Sequence, residues 1–194
     1  KYAVSVSNGT AALHTACLAA GIGPGDEVIT SPITFAASAN CVLYCQGRPV
    51  FADIDDKTYN IDPESVRSRI TDRTKAVIGV DYTGQSVNLR ELRKICEEHH
   101  LTLITDSAHS IGTVYDGKPT GCVADMTTFS FHPVKTVTCG EGGAITTNDE
   151  ALYKRLLLFS KHGITRDQSL MENEPDGPWY YEQLELGYNY RLTD

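Results

Sequence analysis

Clusters of basic residues are missing from this sequence. Lys and Arg number 17 against 25 Asp and Glu, a net charge of −8. Phosphate backbones are held by clustered Lys and Arg, so nucleic acid is excluded as the main partner. Gly and Pro together supply only 24 of 194 residues, too few for a linker protein. No internal repeat or low-complexity tract breaks the chain. The six cysteines, at 17, 41, 45, 96, 122 and 139, contain no CxxC pair. That spacing excludes a disulfide framework and implies free thiols in a reducing compartment. His14, His132 and His162 form no metal spacing with them, and no metal site is expected. Asp53-Ile54-Asp55-Asp56 with Glu64 resembles a calcium loop at its ends, but Lys57 and Thr58 stand where a ligand and a Gly are needed. No Walker A lysine follows a Gly-rich turn, and no GxSxG is present, which disfavours nucleotide triphosphatases and triad hydrolases. Gly21-x-Gly23-x-Gly25 precedes a strand instead of opening a helix.

Formal charge is also absent from residues 28–47, a stretch of bilayer-spanning length. It contains Pro32, Ser31, Thr34, Ser38, Asn40 and Gln46, and reads as a strand end followed by a buried helix over 33–46. No membrane partner is expected. The chain opens Lys1-Tyr2-Ala3-Val4 directly into strand-like residues, with no signal-peptide pattern and no initiator Met, so an upstream piece is expected.

Hydrophobic residues make up 41% and charged residues 22%, ordinary globular usage. Strand and helix patterns alternate almost throughout. Strands are expected at 3–6, 26–30, 49–53, 75–80, 101–105, 126–131 and 144–147. Helices are expected at 10–20, 33–46, 63–70, around Leu89 to Cys96, and at 150–161. Cys41 and Cys45, four apart on a helix face, act as small apolar fillers. Alternation of this kind implies a mostly parallel sheet with helices on both faces, a three-layer α/β/α architecture. Ligands in such sheets bind beyond the carboxyl ends of the strands.

Three strand-end segments carry candidate chemistry. Ser7-Asn8-Gly9-Thr10 leads from a strand into a helix, where free N–H groups bind anions such as phosphate. An ordinary N-cap, a hairpin turn and a glycosylation sequon are the competing local readings, the last opposed by the cysteine usage. Thr105-Asp106-Ser107-Ala108-His109 ends a very apolar strand in a carboxylate that is costly to bury without a cationic partner. A protonated pyridine nitrogen is one such partner, and a loop cap is the alternative. Phe129-Ser130-Phe131-His132-Pro133-Val134-Lys135, followed by Gly140-Glu141-Gly142-Gly143, sets one lysine just past a strand. Desolvation there frees an amine for Schiff-base chemistry. A solvated loop lysine is the alternative.

SNGTAAL (7–13), GDEVITSPITFAASAN (25–40), RPVFADID (48–55), TDSAHSIG (105–112), TFSFHPVKTVTCGEGGAITT (128–147) and GYNYRLTD (187–194) together resemble the DegT/DnrJ/EryC1/StrS sugar aminotransferase family of pyridoxal-phosphate enzymes. VDYTGQSV (80–87), HPVK (132–135) and the 179–194 end resemble, within it, the C4 aminotransferases of pseudaminic acid synthesis. The resemblance implies the large domain of fold type I and pyridoxal 5′-phosphate as cofactor. Lys135 would hold it through a Schiff base and serve as the catalytic acid/base. Asp106 would pair with the pyridinium nitrogen, Phe35 would stack on the ring, and His109 would stand near its O3′ side. Gly9, Thr10 and Ser130 would hold the phosphate, and Asn189 would reach the cofactor of a neighbouring subunit in a homodimer. The implied partners are glutamate as amino donor and a UDP-linked 4-keto-6-deoxy sugar, in the cytoplasm. Another fold type I enzyme such as a lyase, or a non-catalytic binding module, is the alternative. Family members run to nearly twice this length. Residues 1–194 are therefore expected to be the cofactor-binding large domain, with an N-terminal segment and a C-terminal small domain of the family lying outside.

Overall fold

The computed structural model describes residues 1–193; Asp194, the last residue of the 187–194 stretch, lies outside them. Seven strands form the main sheet: β1 (Tyr2–Val6), β2 (Glu27–Thr30), β3 (Arg48–Phe51), β4 (Thr74–Val80), β5 (Thr102–Asp106), β6 (Met126–Ser130) and β7 (Gly143–Thr147). Their order is β1-β7-β6-β5-β4-β2-β3. All neighbours from β3 to β6 are parallel. Strand β7 runs antiparallel to both β6 and β1. The carboxyl ends of β1, β2, β4, β5 and β6 therefore share one edge.

Helices α1 (Gly9–Ala19), α2 (Ala37–Tyr44) and α5 (Glu150–Ser160) pack on one face, with Val28, Ala76, Ile78, Ile104, Met126 and Ile145 of the sheet beneath them. Helices α3 (Pro63–Arg69) and α4 (Leu89–Glu98) cover the other, over Ile29, Val77 and Leu103. Successive strand residues thus feed opposite cores. This is why the inner strands read as continuous apolar runs and not as an alternation.

Caps set the helix starts. Asn8 Oδ1 accepts from Ala11 N, Asn88 Oδ1 from Glu91 N, and Asp149 Oδ1 from Ala151 N and Leu152 N. Asp62 caps α3 ahead of Pro63. The charge-free segment departs from expectation. Helix α2 begins at Ala37, four residues late, with no side-chain cap. Ser31 Oγ accepts from Ile33 N at 3.1 Å, so 31–34 turns on its own side chain and the helix waits until that turn is complete. Nor is the segment wholly buried: only Ala37, Ser38, Cys41 and Val42 of α2 face the core, and Leu43 and Tyr44 are exposed. Among the described residues no helix is long and apolar enough to cross a membrane.

Two short hairpins lie outside the sheet, Val114–Tyr115 with Lys118–Pro119 and Ile164–Thr165 with Glu182–Gln183. The first turns through Asp116-Gly117, both at positive φ (48° and 74°), the backbone that this dipeptide favours in a two-residue hairpin.

Candidate active site

Strand β5 delivers Asp106 to the sheet edge with only 7% of its surface exposed. Ser38 Oγ of α2 donates to its Oδ2 at 2.7 Å, and Ala108 N to its Oδ1 at 3.3 Å. No Lys, Arg or His among the described residues forms an ion pair with it. Burial lifts its carboxyl above the ordinary range, against the downward pull of Ser38, Ala108 N–H and the more distant Lys135 charge. An uncompensated buried carboxylate of this kind fits a cationic ring nitrogen.

Three residues on, the same turn carries His109, and its Nε2 lies 2.6 Å from Lys135 Nζ. Partial desolvation and then the Lys135 charge lower the imidazole's pKa, with Asp106 opposing. A neutral ring with its proton on Nδ1 can accept at Nε2 from Lys135 Nζ. Lys135 N bonds His132 O at 2.9 Å, while Phe131 N bonds Gly142 O at 2.8 Å, so the lysine rides on a loop closed at both ends.

The third segment meets these two through Gly9. A Cβ built there would stand 2.8 Å from Ser130 Cβ, so only glycine lets the start of α1 lie against the end of β6. Gly143 makes a second close approach, with a Cβ position 2.6 Å from Asn8 O. Asn8 takes up Ala11 N and Ala12 N. The N–H groups of Gly9 and Thr10 have no acceptor among the described residues. They fit an anionic group, and Ser130 Oγ lies beside them.

The structure thus gathers Gly9, Ser130 and Thr10 at one point and Asp106, His109 and Lys135 at another along the same edge. Phe35 lies in the 31–36 turn before α2, 77% exposed and free of the core. Asn189 is exposed, and its backbone bridges to Lys161. Its side chain makes no hydrogen bond to the other site residues among those described.

Sequence reasoning assigned no role to Ser38 or Asp81. Ser38 is a fully buried hydroxyl in an otherwise apolar helix face, linked also to Thr34 Oγ1 at 2.7 Å. Its polarity amid Ala37, Cys41 and Val42 is the only local signal. Asp81 follows β4 as Asp106 ends β5, and the parallel between the two apolar runs is readable. Asp81 is 3% exposed and likewise has no cationic partner among the described residues.

The profile of the DegT/DnrJ/EryC1/StrS aminotransferase family matches residues 1–194. The GDP-perosamine synthase of Caulobacter vibrioides is 40% identical over 194 residues, the whole of this chain and 49% of that protein. The Helicobacter pylori aminotransferase involved in the biosynthesis of pseudoaminic acid has a solved structure that superposes with a TM-score of 0.87 at 36% identity, covering 99% of this chain and 50% of that one. NtdA of Bacillus subtilis, solved with bound cofactor PMP, gives 0.85 at 34% identity over 99% of this chain and 41% of that one. The chain spans about half the length of the curated relatives it matches. These likenesses bear out the fold type I expectation. With its full length matched and its strand-end loops drawn together as that family's motifs require, the chain belongs to the DegT/DnrJ/EryC1/StrS aminotransferase family.

Proposed function

We propose that residues 1–194 are the cofactor-binding large domain of a pyridoxal-phosphate-dependent aminotransferase of nucleotide-sugar biosynthesis. In this reading glutamate gives the amino group, and C4 of a UDP-4-keto-6-deoxyhexose of the pseudaminic acid type receives it. The enzyme works in the cytoplasm as a homodimer. One observation carries the reading: the Lys135 amine meets His109 on the same turn that begins with the cation-free, buried Asp106.

Pyridoxal phosphate, when bound, supplies the electron sink. Asp106 holds a cationic ring nitrogen there, oriented by the Ser38 hydroxyl. Gly9 and Thr10 N–H groups, with Ser130 Oγ, bind the phosphate. Phe35 covers the ring face. Lys135 Nζ holds the cofactor and moves the proton that amino transfer requires. Neutral His109 Nε2 accepts from that amine and fixes its direction. Asn189, exposed on its own subunit, serves the partner subunit's cofactor.

The family membership and the relatives named for sugar amination support the substrate class. The nucleotide is decided by experiment, since one relative is named for a GDP sugar. Borohydride reduction of the full-length protein with pyridoxal phosphate should leave a pyridoxyl mass on the Lys135 peptide, absent in Lys135→Ala. Glutamate should then yield 2-oxoglutarate, and mass spectrometry should find the aminated UDP sugar in preference to a GDP sugar. An unmodified Lys135 removes the cofactor role. Amination of the GDP sugar alone removes the UDP assignment.

A further inference from the structure

Asp81 has no role in the chemistry above, yet it lies one residue past the carboxyl end of β4, beside the Asp106 turn. Its backbone N donates to Asp106 O at 3.0 Å. Its carboxylate gathers three donors: Ser107 Oγ at 2.7 Å and Ser110 Oγ at 2.5 Å on Oδ2, and Val87 N at 3.0 Å on Oδ1. Three converging donors demand an acceptor-only group, which a carboxylate is and an amide is not. Ser107 and Ser110 bracket His109. The other side of the turn is held by Gly84, whose Cβ position would fall 2.9 Å from His109 O and whose φ is +93°. Thr113 Oγ1 donates to Gly84 O at 2.9 Å. Asn60 in turn fixes the 82–86 segment, accepting from Tyr82 N and donating to Gln85 O and Ser86 O. His109 itself is exposed, and the only side-chain hydrogen bond it makes among the described residues is to Lys135. Its ring direction therefore depends on the backbone of 107–110.

The structure assigns Asp81 the part of a positioning residue. It clamps both serines around His109, and so sets the imidazole against the Lys135 amine. Asp81 touches neither Lys135 nor any reacting atom; its effect passes through His109. This rests on the reading of Lys135 as the residue that takes the cofactor, and the test separates the two.

In the full-length protein, Asp81→Asn keeps the shape of the side chain and one of its acceptor oxygens. Trapping of pyridoxal phosphate on Lys135 by borohydride should slow about 10- to 100-fold, the scale of a small misplacement of a reacting group. The same substitution in a His109→Ala background should add almost nothing. An equal slowing in both backgrounds overturns the assignment, because it marks a general structural effect. In the cofactor-free protein, the His109 ring resonances should move in Asp81→Asn towards those of Lys135→Ala; unmoved resonances also overturn it. If the parent traps no cofactor, the functional reading falls and the resonances alone decide Asp81. Should Asp81→Asn fail to fold, Ser110→Ala leaves the carboxylate bonded to Ser107 and Val87. It should shift the same two readouts less and in the same direction, and no shift in either overturns the assignment.

Discussion

The two edges of the sheet treat buried carboxylates in opposite ways. At the amino end of β2, Glu27 is 3% exposed and satisfied: Thr71 Oγ1 donates to it at 2.7 Å, and Arg73 and Arg48 approach at 2.8 and 3.5 Å. The Thr71 hydroxyl and then the arginines hold its pKa below 4.5. At the carboxyl edge, Asp81 and Asp106 have hydroxyl and N–H donors and, among the described residues, no cationic partner, and burial lifts both above the ordinary carboxylate range. One edge uses charge to close the fold. The other keeps two acids short of positive charge, which costs stability and suits a cationic ligand.

The largest test of that contrast is Asp106→Asn. It should lower amino transfer by roughly 10²-fold, by removing the charge that keeps a ring nitrogen protonated. The cofactor-free protein should melt no lower than the parent, since an amide is cheaper to bury than an unpaired carboxylate. A clear loss of melting temperature would show that Asp106 supports the fold as Glu27 does. Next, Gly9→Ala forces a methyl into Ser130 and should cost about 1–3 kcal/mol in chemical denaturation, with weakened cofactor uptake.

Glu27→Gln should lower the melting temperature by a few degrees and leave cofactor uptake unchanged. The pH dependence sharpens the pair. A depressed folded-state pKa, as at Glu27, gives stability that is present above 4.5 and lost as pH falls through the lowered value. Raised values, as at Asp81 and Asp106, favour folding below 3.8, and that contribution is lost as pH rises through them. Urea titrations of the cofactor-free protein across this range should find the rising side flattened by Glu27→Gln and the falling side flattened by Asp106→Asn. The smallest test compares two helix caps on opposite edges. Asn8→Ala and Asp149→Ala should each cost about 1 kcal/mol, but only Asn8→Ala should also weaken cofactor uptake.

Much of this was legible in the residues. The apolar runs predicted every strand of the sheet within two residues at either end, most plainly for the inner strands, which are buried on both faces and tolerate little else. Asp106, Lys135 and the Gly9–Thr10 turn stand at or just past strand ends, where sheets of this class take their ligands, and their residue types at those positions marked them as candidates. Less was legible where a polar side chain competes with the backbone, as Ser31 does before α2. The reversed direction of β7 is set by the closed 131–142 loop, and an apolar run carries no direction. Asp116-Gly117 was a hairpin signal left unused. Asp81 shares that strand-end position, but its role, like that of Ser38, lies in what it meets across the fold, which local sequence does not encode.

Strand β1 has one neighbour in the sheet, and Val4 pairs there with Ile145. Strand β1 thus takes its place only once β7 is available. While a ribosome is still producing the residues after Ser130, β2 to β6 can pair with one another, but β1 has no β7 to hold Gly9 and Thr10 against Ser130. Closing so long a loop slows folding more than it weakens the product. A nascent chain therefore acquires its anion-binding turn only after residue 147 has emerged, and the Tyr2–Val6 segment must be kept from other sheet edges until then.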